Sequence, residues 1–104
     1  LAGVAADRGD EFLDVQDLLE DHEVCSVHAG HVTSSPDGAT HEWVRWLNTG
    51  FGQGDAQESL HPNAFGQQAA GGCIAAVHAA APGDHRCTSG TGAGPEAVTL
   101  TPIG

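Results

Sequence analysis

Apolar residues recur at helical spacing in two places along this chain and form a compact run in a third. From Asn63 to Ala80, the residues Phe65, Ala69, Cys73, Ala76, Val77 and Ala80 make a stripe at intervals of three and four, which marks a helix with one buried face. Asn63 is a favoured N-cap, Pro62 suits the approach to a helix start, and Pro82-Gly83 ends the run. Gly66, Gly71 and Gly72 each lower helix propensity by roughly 1 kcal/mol relative to alanine. So small-sided a helix is expected to lie close against a sheet, with packing supplying what propensity does not.

Near the start, Leu1, Val4 and Ala5 recur at helical spacing, and Gly9 is a natural residue to follow a helix end. Phe12-Leu13-Asp14-Val15 then reads as a short buried strand. Helix, glycine and strand in that order form the αβ half of a doubly wound unit. Asp17 to Glu23 is an acidic loop with a helical turn, its apolar content being Leu18 and Leu19.

From His28 to Gly54 the pattern is irregular. Ser34-Ser35-Pro36-Asp37-Gly38 is a strong turn signal. His41 to Asn48 forms a local island whose Trp43, Trp46 and Leu47 read as packing anchors. Gly50, Gly52 and Gly54 make a flexible approach to Glu58. The last stretch, 83–104, is a tail rich in glycine, threonine and proline, in which Val98-Thr99-Leu100 forms a short edge strand or the chain stays disordered. One confident strand cannot make a sheet, since stable sheets need three or more strands or a covering partner. The chain is therefore expected to be the C-terminal portion of a larger domain, with a reduced relative as the alternative, and its start at Leu1 without methionine agrees with trimming.

Charge removes several classes of function. The chain has 104 residues and a formal charge of −11, with no lysine and only Arg8, Arg45 and Arg86 as cations. Such a surface repels phosphate backbones and anionic membranes, which excludes a nucleic-acid partner. No apolar run is long enough to span a bilayer, so no transmembrane segment is expected. The cysteines Cys25, Cys73 and Cys87 are odd in number, which in an exported protein points to a partner elsewhere. Cys73 and Cys87 stand 14 apart and can close the helix onto the loop after it, leaving Cys25 for a cysteine upstream of Leu1. Three reduced thiols in a cytosolic protein are the alternative.

The candidate chemistry lies in Glu58-Ser59-Leu60-His61-Pro62-Asn63-Ala64-Phe65-Gly66. His61 ends an irregular glycine-rich segment and stands directly before a capped helix start, a rigid mount for a general base. This segment resembles the last conserved block of the SGNH (GDSL-like) esterases and lipases, in particular the secreted actinobacterial kind. His22-Glu23-Val24-Cys25, following the strand and an acidic turn, resembles a second piece of those proteins, and Trp46-Leu47-Asn48 a third. The resemblance covers residues 1–82.

It implies an α/β fold: the C-terminal part of a three-layer α/β/α, flavodoxin-like hydrolase domain. It further implies hydrolysis of carboxylic esters or lipids, secretion, no metal or organic cofactor, and a disulfide at Cys25. His61 would be the general base for a serine nucleophile. Its orienting group would be Glu58, where the family usually has Asp, or the main-chain carbonyl of Ser59. Glutamate is one methylene longer than aspartate, which favours the carbonyl. The family's Gly-Asp-Ser nucleophile block is absent from this sequence, and Ser34, Ser35 and Ser89 lack the strand-then-turn setting a nucleophile needs. The nucleophile is expected from the missing N-terminal part of the same domain, which leaves this chain alone inactive.

Two other classes compete. His22, Cys25, His28 and His31 recur at every third residue and together resemble a zinc ligand set, though structural zinc sites normally split their ligands into two separated pairs. A non-catalytic module would recognise a partner through the acidic surface and the Trp43/Trp46 pair. His41, His78 and His85 carry no pattern and read as solvated or helix-surface residues.

Overall fold

The computed structural model describes residues 1–30, 37–45 and 59–104. Among these the chain forms a small mixed α/β domain of two helices and a three-stranded sheet. The elements in order are α1 (Ala2–Arg8), β1 (Leu13–Asp14), α2 (Ala64–Ala79), β2 (His85–Thr88) and β3 (Thr99–Pro102). α1 stops where expected: Gly9 takes the left-handed conformation at φ 73° and its N–H bonds back into the helix. No residue of α1 is buried, so Leu1 and Val4 stand in the open.

The sheet has the order β1-β2-β3. β1 runs parallel to β2, with Leu13 opposite His85, and α2 lies between them in sequence, as a parallel connection requires. β3 is antiparallel to β2, with Cys87 opposite Leu100 and Arg86 opposite Thr101. Asp84 pins the sheet end. Its carboxylate accepts the Phe12 N–H at 2.8 Å, and its carbonyl accepts the Ile103 N–H at 2.9 Å.

Alternation along β2 sorts the two faces. His85 and Cys87 are buried and Arg86 is exposed. Cys87 forms a disulfide with Cys73 of α2, so the buried face is the one α2 covers. Leu18, Trp43, Ala69, Cys73 and Cys87 make the core there, with Leu13, Phe65, Val98 and Leu100 packed around them. The opposite face carries Arg86, whose Nε and Nη2 each reach Asp14 Oδ2 at 2.9 Å, with exposed Thr99 and Thr101 nearby in register. Among the described residues the architecture is thus one helix layer on one sheet layer.

The helix expected from Asn63 to Ala80 is present almost to the residue, with Ala69 and Cys73 of its stripe fully buried. Its smallness has the expected consequence. A Cβ on Gly66 would lie 2.5 Å from the Trp43 carbonyl oxygen, and one on Gly72 3.1 Å from Val98 Cγ2. The strand expected over Phe12 to Val15 pairs only at Leu13 and Asp14, both half-buried. The stretch 83–104 does not lie apart as a tail, because it holds β2 and β3. The buried face of β2 is a histidine and a disulfide cysteine rather than aliphatic residues, so hydrophobic pattern alone does not reveal it. His85 is accordingly not a solvated residue. It is 5% exposed, and its Nδ1 bonds the Gly83 carbonyl at 2.8 Å.

A candidate active site around His61

Residues 43–45 and 60–63 run antiparallel and hold each other by main-chain hydrogen bonds. The Leu60 N–H donates to the Arg45 carbonyl at 2.8 Å, and the Arg45 N–H donates to the His61 carbonyl at 2.9 Å. The Asn63 N–H donates to the Trp43 carbonyl at 2.9 Å, and Val44 bridges Pro62 between them. Leu60 enters this pairing at φ 62°, in the left-handed region. The main chain at His61 is therefore fixed on both sides, while its side chain is exposed.

Asn63 couples this segment to α2. Its Oδ1 accepts the N–H groups of Phe65 and Gly66 at 3.0 and 3.2 Å, satisfying two donors that a helix start leaves open. Its Nδ2 donates to the Glu42 carbonyl at 2.7 Å, so the cap is itself anchored to the facing segment. Gly66 completes the join, since only a residue without Cβ fits under the Trp43 carbonyl.

Beneath the facing segment lies a buried stack. The rings of His22 and Trp43 have centroids 3.9 Å apart and planes within 8° of parallel. The Trp43 N–H donates to the His22 carbonyl at 2.8 Å, and Trp43 Nε1 donates to the Gly38 carbonyl at 2.7 Å. His22 Nδ1 donates to the His41 carbonyl at 3.0 Å, while its buried Nε2 has no partner among the described residues. Glu42, 2% exposed, accepts the Cys25 N–H on Oε1 at 2.8 Å. Sequence reasoning gave Glu42 no role, and a lone glutamate between His41 and Trp43 carries no signal that would have assigned one.

Of the residues nominated from sequence, His61 and Ser59 lie on this turn, and Glu58 lies outside the described residues. Among the described residues the His61 imidazole has no hydrogen-bond partner. The zinc-like set is dispersed where it is described. His22 is buried against Trp43, Cys25 is exposed, and His28 faces Asp21 with Nε2 3.6 Å from Oδ1. His31 lies outside the described residues. Among the described residues no three His, Cys, Asp or Glu side chains are grouped as metal ligands. Trp43 is a packing anchor with 0% exposure and offers no surface to a partner, while Trp46 lies outside the described residues. Ser89 is half-buried, and its hydroxyl has no hydrogen-bond partner among the described residues. Among the described residues no helix is long and apolar enough to cross a membrane.

Chemically, the arrangement offers one accessible imidazole on a main chain held from two directions. A main chain held in this way, with its imidazole open to solvent, is compatible with a general base, which needs a fixed approach and an open path. No family model, curated protein or solved structure matches this chain.

Proposed function

We propose that this chain supplies the catalytic histidine of a serine esterase or lipase of the SGNH type. The observation that carries the reading is the mounting of His61, whose exposed imidazole stands on a turn bonded to Arg45 on both sides. In ester hydrolysis the base takes the proton from a serine hydroxyl as it attacks the acyl carbon. It then returns that proton to the leaving alkoxide. Positioned transfer of this kind is worth roughly 10² to 10⁴ in rate. The tautomer would be held by the Ser59 carbonyl or the Glu58 carboxylate.

The nucleophile belongs to a Gly-Asp-Ser block on another part of the parent polypeptide, together with the oxyanion-hole donors. In this reading the edge of β1, unpaired among the described residues, continues into further parallel strands, and the parent domain is a three-layer α/β/α sheet of the flavodoxin-like type. The Cys73–Cys87 disulfide agrees with an exported protein, since such bonds persist in oxidising compartments.

The test begins with the coding sequence that joins this segment. A Gly-Asp-Ser block roughly 150 to 250 residues before Leu1, an ordinary domain length, is expected. Ester hydrolysis by that polypeptide should fall by about 10² or more in His61→Ala. An unrelated upstream domain, or full activity in His61→Ala, would overturn the reading.

A further inference from the structure

We propose that Leu60 contacts the acyl group of the substrate, giving an ester an apolar surface beside His61. The inference rests on reading His61 as the base. Its own support is a backbone outlier. Leu60 sits at φ 62°, where the Cβ of an L-residue crowds its own carbonyl and where glycine is the ordinary choice. Among the described residues two other non-glycine residues share that region, and each has a local reason. Asp21 belongs to a type that tolerates it, and the Cys25 N–H is drawn to the Glu42 carboxylate.

Leu60 has neither reason. Its backbone makes the hydrogen bond to Arg45 that a glycine would make equally well. Its side chain is not spent on the core, because the residue is 55% exposed. Strain of this kind persists where the surroundings hold it and function uses it. A bulky apolar residue held against its preference, exposed, and next in sequence to an accessible imidazole is suited to an apolar ligand group. Acyl chains of several carbons fit that chemistry, and acetyl groups gain little from it.

The test uses the chain as it is, with activated esters as the probe. An imidazole nitrogen attacks the acyl carbon of a p-nitrophenyl ester, and the C–O bond breaks as p-nitrophenolate leaves with the electron pair. Water then hydrolyses the acyl-imidazole to carboxylic acid and free imidazole. The part of the rate lost in His61→Ala belongs to His61. For that part, the hexanoate-to-acetate ratio should exceed that of free imidazole by about fourfold, as when roughly one methylene leaves water.

Leu60→Gly should return the ratio to that of free imidazole and melt at no lower temperature than wild type. An unchanged ratio in Leu60→Gly, or a wild-type ratio equal to that of imidazole, would overturn the assignment. So would a lower melting temperature in Leu60→Gly, which would make the side chain a support of the fold. A rate unaffected by His61→Ala would instead overturn the reading of the base, and the Leu60 assignment with it.

Discussion

The imidazole of His22 lies flat on the indole of Trp43, with ring centroids 3.9 Å apart, and the main chain of Trp43 carries the segment that faces His61. Removing the indole therefore acts on the core and on the His61 turn together. Trp43→Ala should cost about 3–5 kcal/mol in urea unfolding, the usual range for a buried large aromatic. Hydrogen exchange at the Leu60 and Asn63 amides, which donate to Arg45 and Trp43, should accelerate with it. Slow exchange at both amides in a destabilised variant would separate the turn from the stack.

Two glycines of α2 should answer the same substitution with opposite signs. Gly71 has nothing within 4 Å of where a Cβ would stand and is exposed. Gly71→Ala should raise stability by about 1 kcal/mol through helix propensity. At Gly66 the same gain is outweighed, because the Cβ would lie 2.5 Å from the Trp43 carbonyl and 2.9 Å from Pro62 Cβ. Gly66→Ala should lower stability by about 1–3 kcal/mol net, as overpacking does. Chemical denaturation of the pair decides it, and a stabilising Gly66→Ala would mean the helix does not sit this close.

This contrast also shows what the sequence made legible. The span of α2, its Asn63 cap and its buried stripe follow from period and capping rules that act within a few residues. The need for closeness at Gly66 was legible as a tendency, but its partner, the Trp43 carbonyl, was not. Pairing between 43–45 and 60–63 is set by tertiary geometry, and Val44 and Pro62 carry no strand pattern of their own. β2 was hidden for a related reason, since His85 and Cys87 fill its buried face through a carbonyl bond and a disulfide. The left-handed turn at Leu60 had no sequence signal, because leucine is a residue the rule excludes there.

The disulfide between Cys73 and Cys87 ties α2 to the central strand across a separation of 14 residues. A loop of that length gives a stabilisation of about 3 kcal/mol in the chain-entropy treatment. The double variant Cys73→Ala/Cys87→Ala should lose roughly that amount in urea unfolding. Iodoacetamide on the folded, unreduced protein should place a single label, at exposed Cys25. Labelling at all three cysteines without reductant would show that the bond is not formed.

The Asp14 carboxyl is held below its ordinary value, first by the Gln16 main-chain N–H and then by Arg86. A group whose folded value is lowered stabilises the fold above its unfolded value, about 3.9 for aspartate. That contribution is lost as pH falls through the folded value. Asp14→Asn should therefore melt below wild type near neutrality, and the gap should close as pH falls below about 4. A gap independent of pH would assign the loss to shape rather than charge. Arg86→Gln should leave part of the effect in place, because the Gln16 bond remains.

In the proposed hydrolase, two atoms compete to orient His61. A carboxylate on Glu58 must reach across one methylene more than the aspartate of the family it resembles. The Ser59 carbonyl is part of the main chain on the turn that Arg45 secures through Leu60 and His61. A main-chain acceptor needs no side-chain ordering, so fixing the turn fixes it as well. In the ester hydrolase proposed to hold this segment, Glu58→Ala should lower kcat by less than about tenfold, against about 10² to 10⁴ for His61→Ala. Equal losses in the two variants would assign the role to the carboxylate.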